Sequence, residues 1–122
     1  MADRITNVPG SSAYFERGVV TYSNRSKTEL LGVPEKVIKE HGAVSQEVAV
    51  LMAEGVRKAS GTDIGVSTTG IAGPAGGTDK KPVGTIFIAV SDGKRTICRD
   101  FSFKWERRRI KEITTQWAMK EI

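Results

Sequence analysis

The sequence predicts an α/β domain, a three-layer α/β/α sandwich around a mixed sheet, and two observations carry that prediction. First, β-like segments alternate along the 122 residues with segments of helical periodicity, most of them bounded by Gly, Pro or Ser. Second, residues 83–90 (VGTIFIAV) are apolar on both faces, as a central strand covered from two sides must be. No internal repeat, low-complexity tract or linker divides the chain, so 1–122 is read as a single domain.

The elements follow in order. Residues 2–8 look like the tail of a helix running into Pro9-Gly10-Ser11-Ser12, with no strand before it. Helices on a sheet ordinarily follow a strand, so the sandwich is expected to lack its first strand. Residues 16–23 are β-like, with Val19, Val20, Thr21 and Tyr22 in succession. Asn24 offers an N-cap for a short helix through Leu30-Leu31 that Gly32 stops. Pro34 suits the first turn of another short helix, which Gly42 terminates. After the N-cap Ser45, the positions Val48, Leu51, Met52, Gly55, Val56 and Ala59 recur at helical spacing and predict one buried stripe. Residues 64–69 form a strand, 70–77 a glycine-rich loop, and 83–90 the central strand. The turn Ser91-Asp92-Gly93-Lys94 then leads into 95–103, an antiparallel hairpin partner. A last helix from about Glu106 is expected to bury Ile110, Ile113, Trp117 and Ile122.

Composition narrows the function classes. A single cysteine, Cys98, leaves no internal disulfide and no Cys-rich zinc site, and a single histidine leaves no multi-histidine metal site. The start Met1-Ala2-Asp3-Arg4 places charges where a signal peptide needs an apolar stretch, and no apolar run is long enough to span a bilayer. A soluble, cytoplasmic domain is expected. The net charge is +5, with six basic against three acidic residues in 103–122. On a helix such a run reads as a solvated face; a nucleic-acid footprint would need a reading element as well, so nucleic acid is not an expected partner.

Candidate chemistry lies at one end of the sheet. Ligands of open α/β sheets bind beyond the carboxyl ends of the strands. If 16–23 and 64–69 run parallel, Tyr22, Lys27 and the loop GIAGPAGG (70–77) meet there. Glycines admit positive φ and bring backbone N–H groups close to a ligand, as an anion nest or an oxyanion hole requires. The loop matches neither the Walker A pattern nor G-x-G-x-x-G, and a long surface turn is the alternative. Lys27 is a base only if its surroundings lower its pKa. The ordinary arrangement would be a core Tyr22 and an exposed helical Lys27. Ser11, Ser12 and Ser23 have no base at defined spacing, His41 suits a helix C-terminus, and Cys98 is read as strand filler.

Three segments taken together are far more specific. GSSAYFERGVVTYSNRSKTELLGVP (10–34), HGAVSQEVAVLMAEG (41–55) and TTGIAGPAGGTDKKPVGTIFIAV (68–90) closely resemble the CinA C-terminal domain family, which includes stand-alone nicotinamide-nucleotide amidohydrolases. The resemblance implies an α/β/α sandwich that hydrolyses the carboxamide of nicotinamide mononucleotide to nicotinic acid mononucleotide and ammonia, with no metal and no cofactor. It implies a serine nucleophile in an S-C-T-G-G motif after the first strand, assisted by a tyrosine and a lysine. The Y-S-N-x-x-K segment of the family matches Tyr22 and Lys27, and T-G-I-A-G-P matches 69–74. Thr69, Gly70, Ala72, Gly73, Gly76 and Gly77 become the substrate-binding candidates, and self-association as a dimer or larger is implied too. Two departures stand out. The serine motif, which would precede residue 2, is not in this chain, so the domain is expected to be N-terminally truncated. Trp105 stands where relatives commonly place Gly before an acidic-Arg pair, which Glu106-Arg107 matches. The alternative to an amidase is a catalytically inactive domain acting as a nucleotide-binding or competence/damage-linked partner.

Overall fold

The run that is apolar on both faces folds, from Thr85 onward, as the middle strand of a three-stranded antiparallel sheet, with Val83 and Gly84 left in the turn before it. The computed structural model describes residues 1–122. In chain order the elements are α1 (Ala2–Thr6), a 3-10 turn (Ser11–Ala13), α2 (Asn24–Leu31), α3 (Glu35–His41), α4 (Gln46–Ser60), β1 (Gly65–Gly70), β2 (Thr85–Ser91), β3 (Thr96–Ser102) and α5 (Arg107–Glu121). The sheet order is β1-β2-β3. The β2–β3 turn closes where Asp92 Oδ1 accepts from the N–H groups of Lys94 and Arg95, both at 2.8 Å, while Gly93 takes φ +87°.

Alternation along the strands gives the sheet two different faces. Ile86, Ile88 and Phe101 face α5 and pack with its Ile110 and Ala118. On the other face Phe87, Ala89 and Cys98 meet Ala49 and Ala53 of α4. Hydroxyls on that same face are satisfied by the connection they press on: Ser67 Oγ donates to Ala49 O (2.6 Å), and Thr69 Oγ1 donates to Ala43 O (2.7 Å). α4 is therefore buried on two sides. Its Val48 and Met52 pack with Leu31, Val33 and Ile38 of the α2–α3 region, and its small residues let the sheet approach. Layers of α2–α4, sheet and α5 make the α/β/α sandwich. No helix is long and apolar enough to cross a membrane.

Five local expectations are corrected. Residues 16–22 form no ladder and carry no regular structure, because no strand lies beside them to accept their hydrogen bonds. The sheet is consequently antiparallel throughout, without the parallel pair that a mixed sheet requires. Ser23, not Asn24, caps α2. The stripe on α4 omitted Ala49 and Ala53, both fully buried, and included Ala59, which is exposed. Ile122 stays exposed because α5 ends at Glu121, whose carboxylate instead pairs with Arg99 at 2.8 Å.

Candidate functional site

The site begins with a helix cap. Ser23 Oγ accepts from Ser26 N–H (3.1 Å), and Ser26 Oγ accepts from Ser23 N–H (3.2 Å), a reciprocal box that fixes where α2 starts. Lys27 thereby falls in the first turn with its side chain folded back beneath the preceding segment. Its Nζ donates to the Thr21 carbonyl at 2.6 Å, and the residue is only 6% exposed. Desolvation alone pushes its pKa below the usual 10.5, with no carboxylate to offset the burial.

Tyr22 turns the other way and is 84% exposed. Its phenol oxygen accepts from Arg107 Nη2 at 3.4 Å, while Arg107 Nη1 donates to the Gly73 carbonyl at 2.8 Å. Arg107 opens α5, whose start is fixed by the N-cap Glu106 carboxylate accepting from Arg108 N–H (2.7 Å) and Arg109 N–H (2.9 Å). One guanidinium thus ties the segment before α2 to the glycine-rich loop.

The loop itself is anchored at both ends and open in the middle. Ile71 N–H donates to Thr85 O (3.0 Å), Gly84 N–H to Ile71 O (2.7 Å) and Thr78 N–H to Lys81 O (2.9 Å). Lys81 Nζ fastens the far end to His41 O at 2.6 Å, at the C-terminus of α3. Gly73 is buried with φ +79°, and a Cβ there would strike Val83, so glycine is required on two counts. The backbone N–H groups of Ala72, Gly73, Ala75, Gly76 and Gly77 donate to no group of the chain. Such a run of free donors beside an arginine suits an anion or a developing oxyanion.

The ordinary arrangement of a core tyrosine and an exposed lysine is reversed: Lys27 is inside and Tyr22 outside. Thr69 and Gly70 hold the end of β1, the threonine through Ala43 O and the glycine by close approach to Ile86 and Thr85. Gly76 and Gly77 lie in the exposed part of the loop, while Gly73 is buried and Ala72 is half-buried against the core on the α5 face. Arg107 escaped the sequence reading because it sits in a basic run that otherwise is a solvated face; its signal was the matching Glu106-Arg107 pair. Ser23 is committed to the cap, and Cys98 is half-buried with its thiol pushed up to about 11, chiefly by desolvation. No group of three or more His, Cys, Asp or Glu side chains converges to hold a metal ion.

An α/β/α sandwich in which one arginine bridges an exposed tyrosine to a glycine-rich loop, with a buried lysine in the helix turn after that tyrosine, presents a candidate small-molecule site of the α/β class. The chain matches the CinA C-terminal domain model over residues 1–122, and it belongs to that family. It is 59% identical over 120 residues to the CinA-like protein of Syntrophus aciditrophicus (strain SB), covering 98% of this chain and 29% of that protein. It is 53% identical over 119 residues to the CinA-like protein of Geotalea uraniireducens (strain Rf4), covering 98% and 28%. The chain therefore spans less than a third of the curated relatives it matches. Among solved structures it resembles the competence/damage inducible protein CihA from Agrobacterium tumefaciens, with TM-score 0.96 and 35% identity over 98% of this chain and 74% of that one. The competence damage-inducible protein A (ComA) from Klebsiella pneumoniae gives TM-score 0.94 and 28% identity over 98% and 74%.

Proposed function

We propose that this domain binds nicotinamide mononucleotide and belongs to an amidohydrolase that converts its carboxamide to the carboxylate, releasing ammonia, in the cytoplasm. The observation that carries the reading is Lys27, desolvated and without a counter-ion. A lysine held in that state is a proton acceptor at a pH where an exposed lysine is not. In the proposed reaction it takes the proton of a serine hydroxyl as that oxygen attacks the carboxamide carbon, returns a proton to the nitrogen as the C–N bond breaks and ammonia leaves, and water then hydrolyses the acyl-serine to the carboxylate. The N–H groups of Ala72, Gly73, Ala75, Gly76 and Gly77, which donate to no group of the chain, and Arg107 supply donors for the tetrahedral oxyanion or for the phosphate. Tyr22, oriented by Arg107, lies beside the same opening.

The chain's own serines next to Lys27, Ser23 and Ser26, bond to each other, so the nucleophile in this reading comes from a preceding segment with S-C-T-G-G. That same observation favours a second reading for the 122 residues taken alone: nucleotide binding without turnover. Ammonia release from nicotinamide mononucleotide tests both. The chain alone should release none above background. Joined to a strand ending in S-C-T-G-G it should turn over, and Lys27→Ala in that longer protein should remove activity while the circular dichroism spectrum is unchanged. Full activity in the Lys27→Ala protein would defeat the assignment.

A further inference from the structure

Aromatic side chains stack in a file that leads from the α5 face of the sheet to the margin of the site. Trp117 and Phe101 have ring centroids 5.2 Å apart, Phe101 and Phe103 5.5 Å, and Phe103 and Trp105 5.8 Å, the last pair inclined by 29°. Lys120 Nζ sits 4.8 Å from the Trp117 centroid and closes the far end. Every ring inside the file has a neighbour on both sides. Trp105 has one, and it is 52% exposed.

The open end of the file adjoins the site through covalent neighbours. Trp105 lies two residues before Arg107, the side chain that bridges Tyr22 and Gly73. Two residues on the other side, Phe103 N–H donates to Gly84 O at 3.0 Å, and Gly84 follows the Val83 that packs on Gly73 and Gly77. Two of the five donors of Arg107 are spent on Tyr22 and Gly73, which leaves the guanidinium able to meet an anion. A flat, rigidly backed indole, a cation and a row of free N–H groups are complementary to a heteroaromatic ring joined to a phosphorylated sugar.

We propose that Trp105 is the ring-stacking and specificity residue of this site, its free face taking the base of the bound nucleotide while Arg107 and the loop meet the phosphate. The proposal rests on the nucleotide reading above and goes beyond it by assigning the base. The pyridinium ring of nicotinamide mononucleotide is cationic, so an indole face favours it over a neutral ring of equal size.

Binding by the full chain, measured by calorimetry with nicotinamide mononucleotide and with ribose 5-phosphate, tests the proposal. Trp105→Ala should weaken the nucleotide roughly tenfold and leave ribose 5-phosphate within about twofold, whereas Trp105→Phe should retain most of the affinity. In Trp117→Phe, where Trp105 is the remaining tryptophan, the nucleotide should quench indole emission and ribose 5-phosphate should not. Unchanged nucleotide affinity in Trp105→Ala, equal loss for both probes, or no quenching in Trp117→Phe overturns the role of Trp105 and leaves the nucleotide reading intact. A wild-type chain that binds neither probe overturns both.

Discussion

Lys27 shows how a single residue is set by its neighbours. Its four-carbon stem would reach solvent from most helix positions, but the first-turn placement folds it under Thr21 instead. Burial lowers its folded pKa below the unfolded value, so between the two the unfolded state binds more protons. Stability contributed by this group is therefore missing below the folded pKa and is regained as pH rises towards 10.5. Lys27→Met should abolish that gain. Urea unfolding near neutrality and at about pH 10 is expected to show a smaller difference between the two conditions in the variant than in the wild type. An equal difference would mean that the lysine is charged and solvated in the fold.

At the scale of elements, glycines do two separate jobs that a sequence does not distinguish. Gly61 ends α4 at φ +64° with open space where a Cβ would stand. Gly55 lies inside α4, where a Cβ would strike the Leu31 carbonyl as α2 crosses. Gly61→Ala should cost about 1–2 kcal/mol, the penalty of a left-handed alanine. Gly55→Ala should cost about 3 kcal/mol or more, because the obstacle is backbone and the α2–α4 crossing must open. Thermal unfolding of the two variants separates the jobs, and the reverse order would contradict this account of the crossing. The crossing matters to the site because α2 carries Lys27.

Across the whole molecule, the two sheet edges are not equivalent. Outer strand β3 carries Arg99 and Asp100, charges of the kind that discourage edge pairing. β1, GVSTTG, carries none, pairs only with β2, and lies in a chain whose residues 16–22 have no ladder partner either. We expect self-association through the β1 edge, seen by light scattering at micromolar concentration as a mass of two or more chains. Thr68→Lys on that strand should shift the population towards monomer. A wild-type chain that is monomeric under those conditions would remove the expectation.

The sequence by itself determined the elements whose signals are local. Ser45 and Val48 mark the start of α4, Gly32 and Gly42 stop helices, the Asp92-Gly93 turn forces a hairpin, and VGTIFIAV declares a strand covered on both faces. Three quoted segments also sufficed for the family. What only the tertiary structure decided depends on partners distant in the chain. Residues 16–22 have the composition of a strand, yet composition cannot supply the neighbour that a ladder needs. Tyr22 and Lys27 were both legible as candidates, but which one is buried follows from the fold of Thr21 over the helix start. Arg107 stands 85 residues from Tyr22 and 34 from Gly73, and its exposed neighbours Arg108 and Arg109 look the same in sequence. Only the packing of α5 against the sheet turns that one guanidinium towards the loop, because a helix gives each successive residue a different direction.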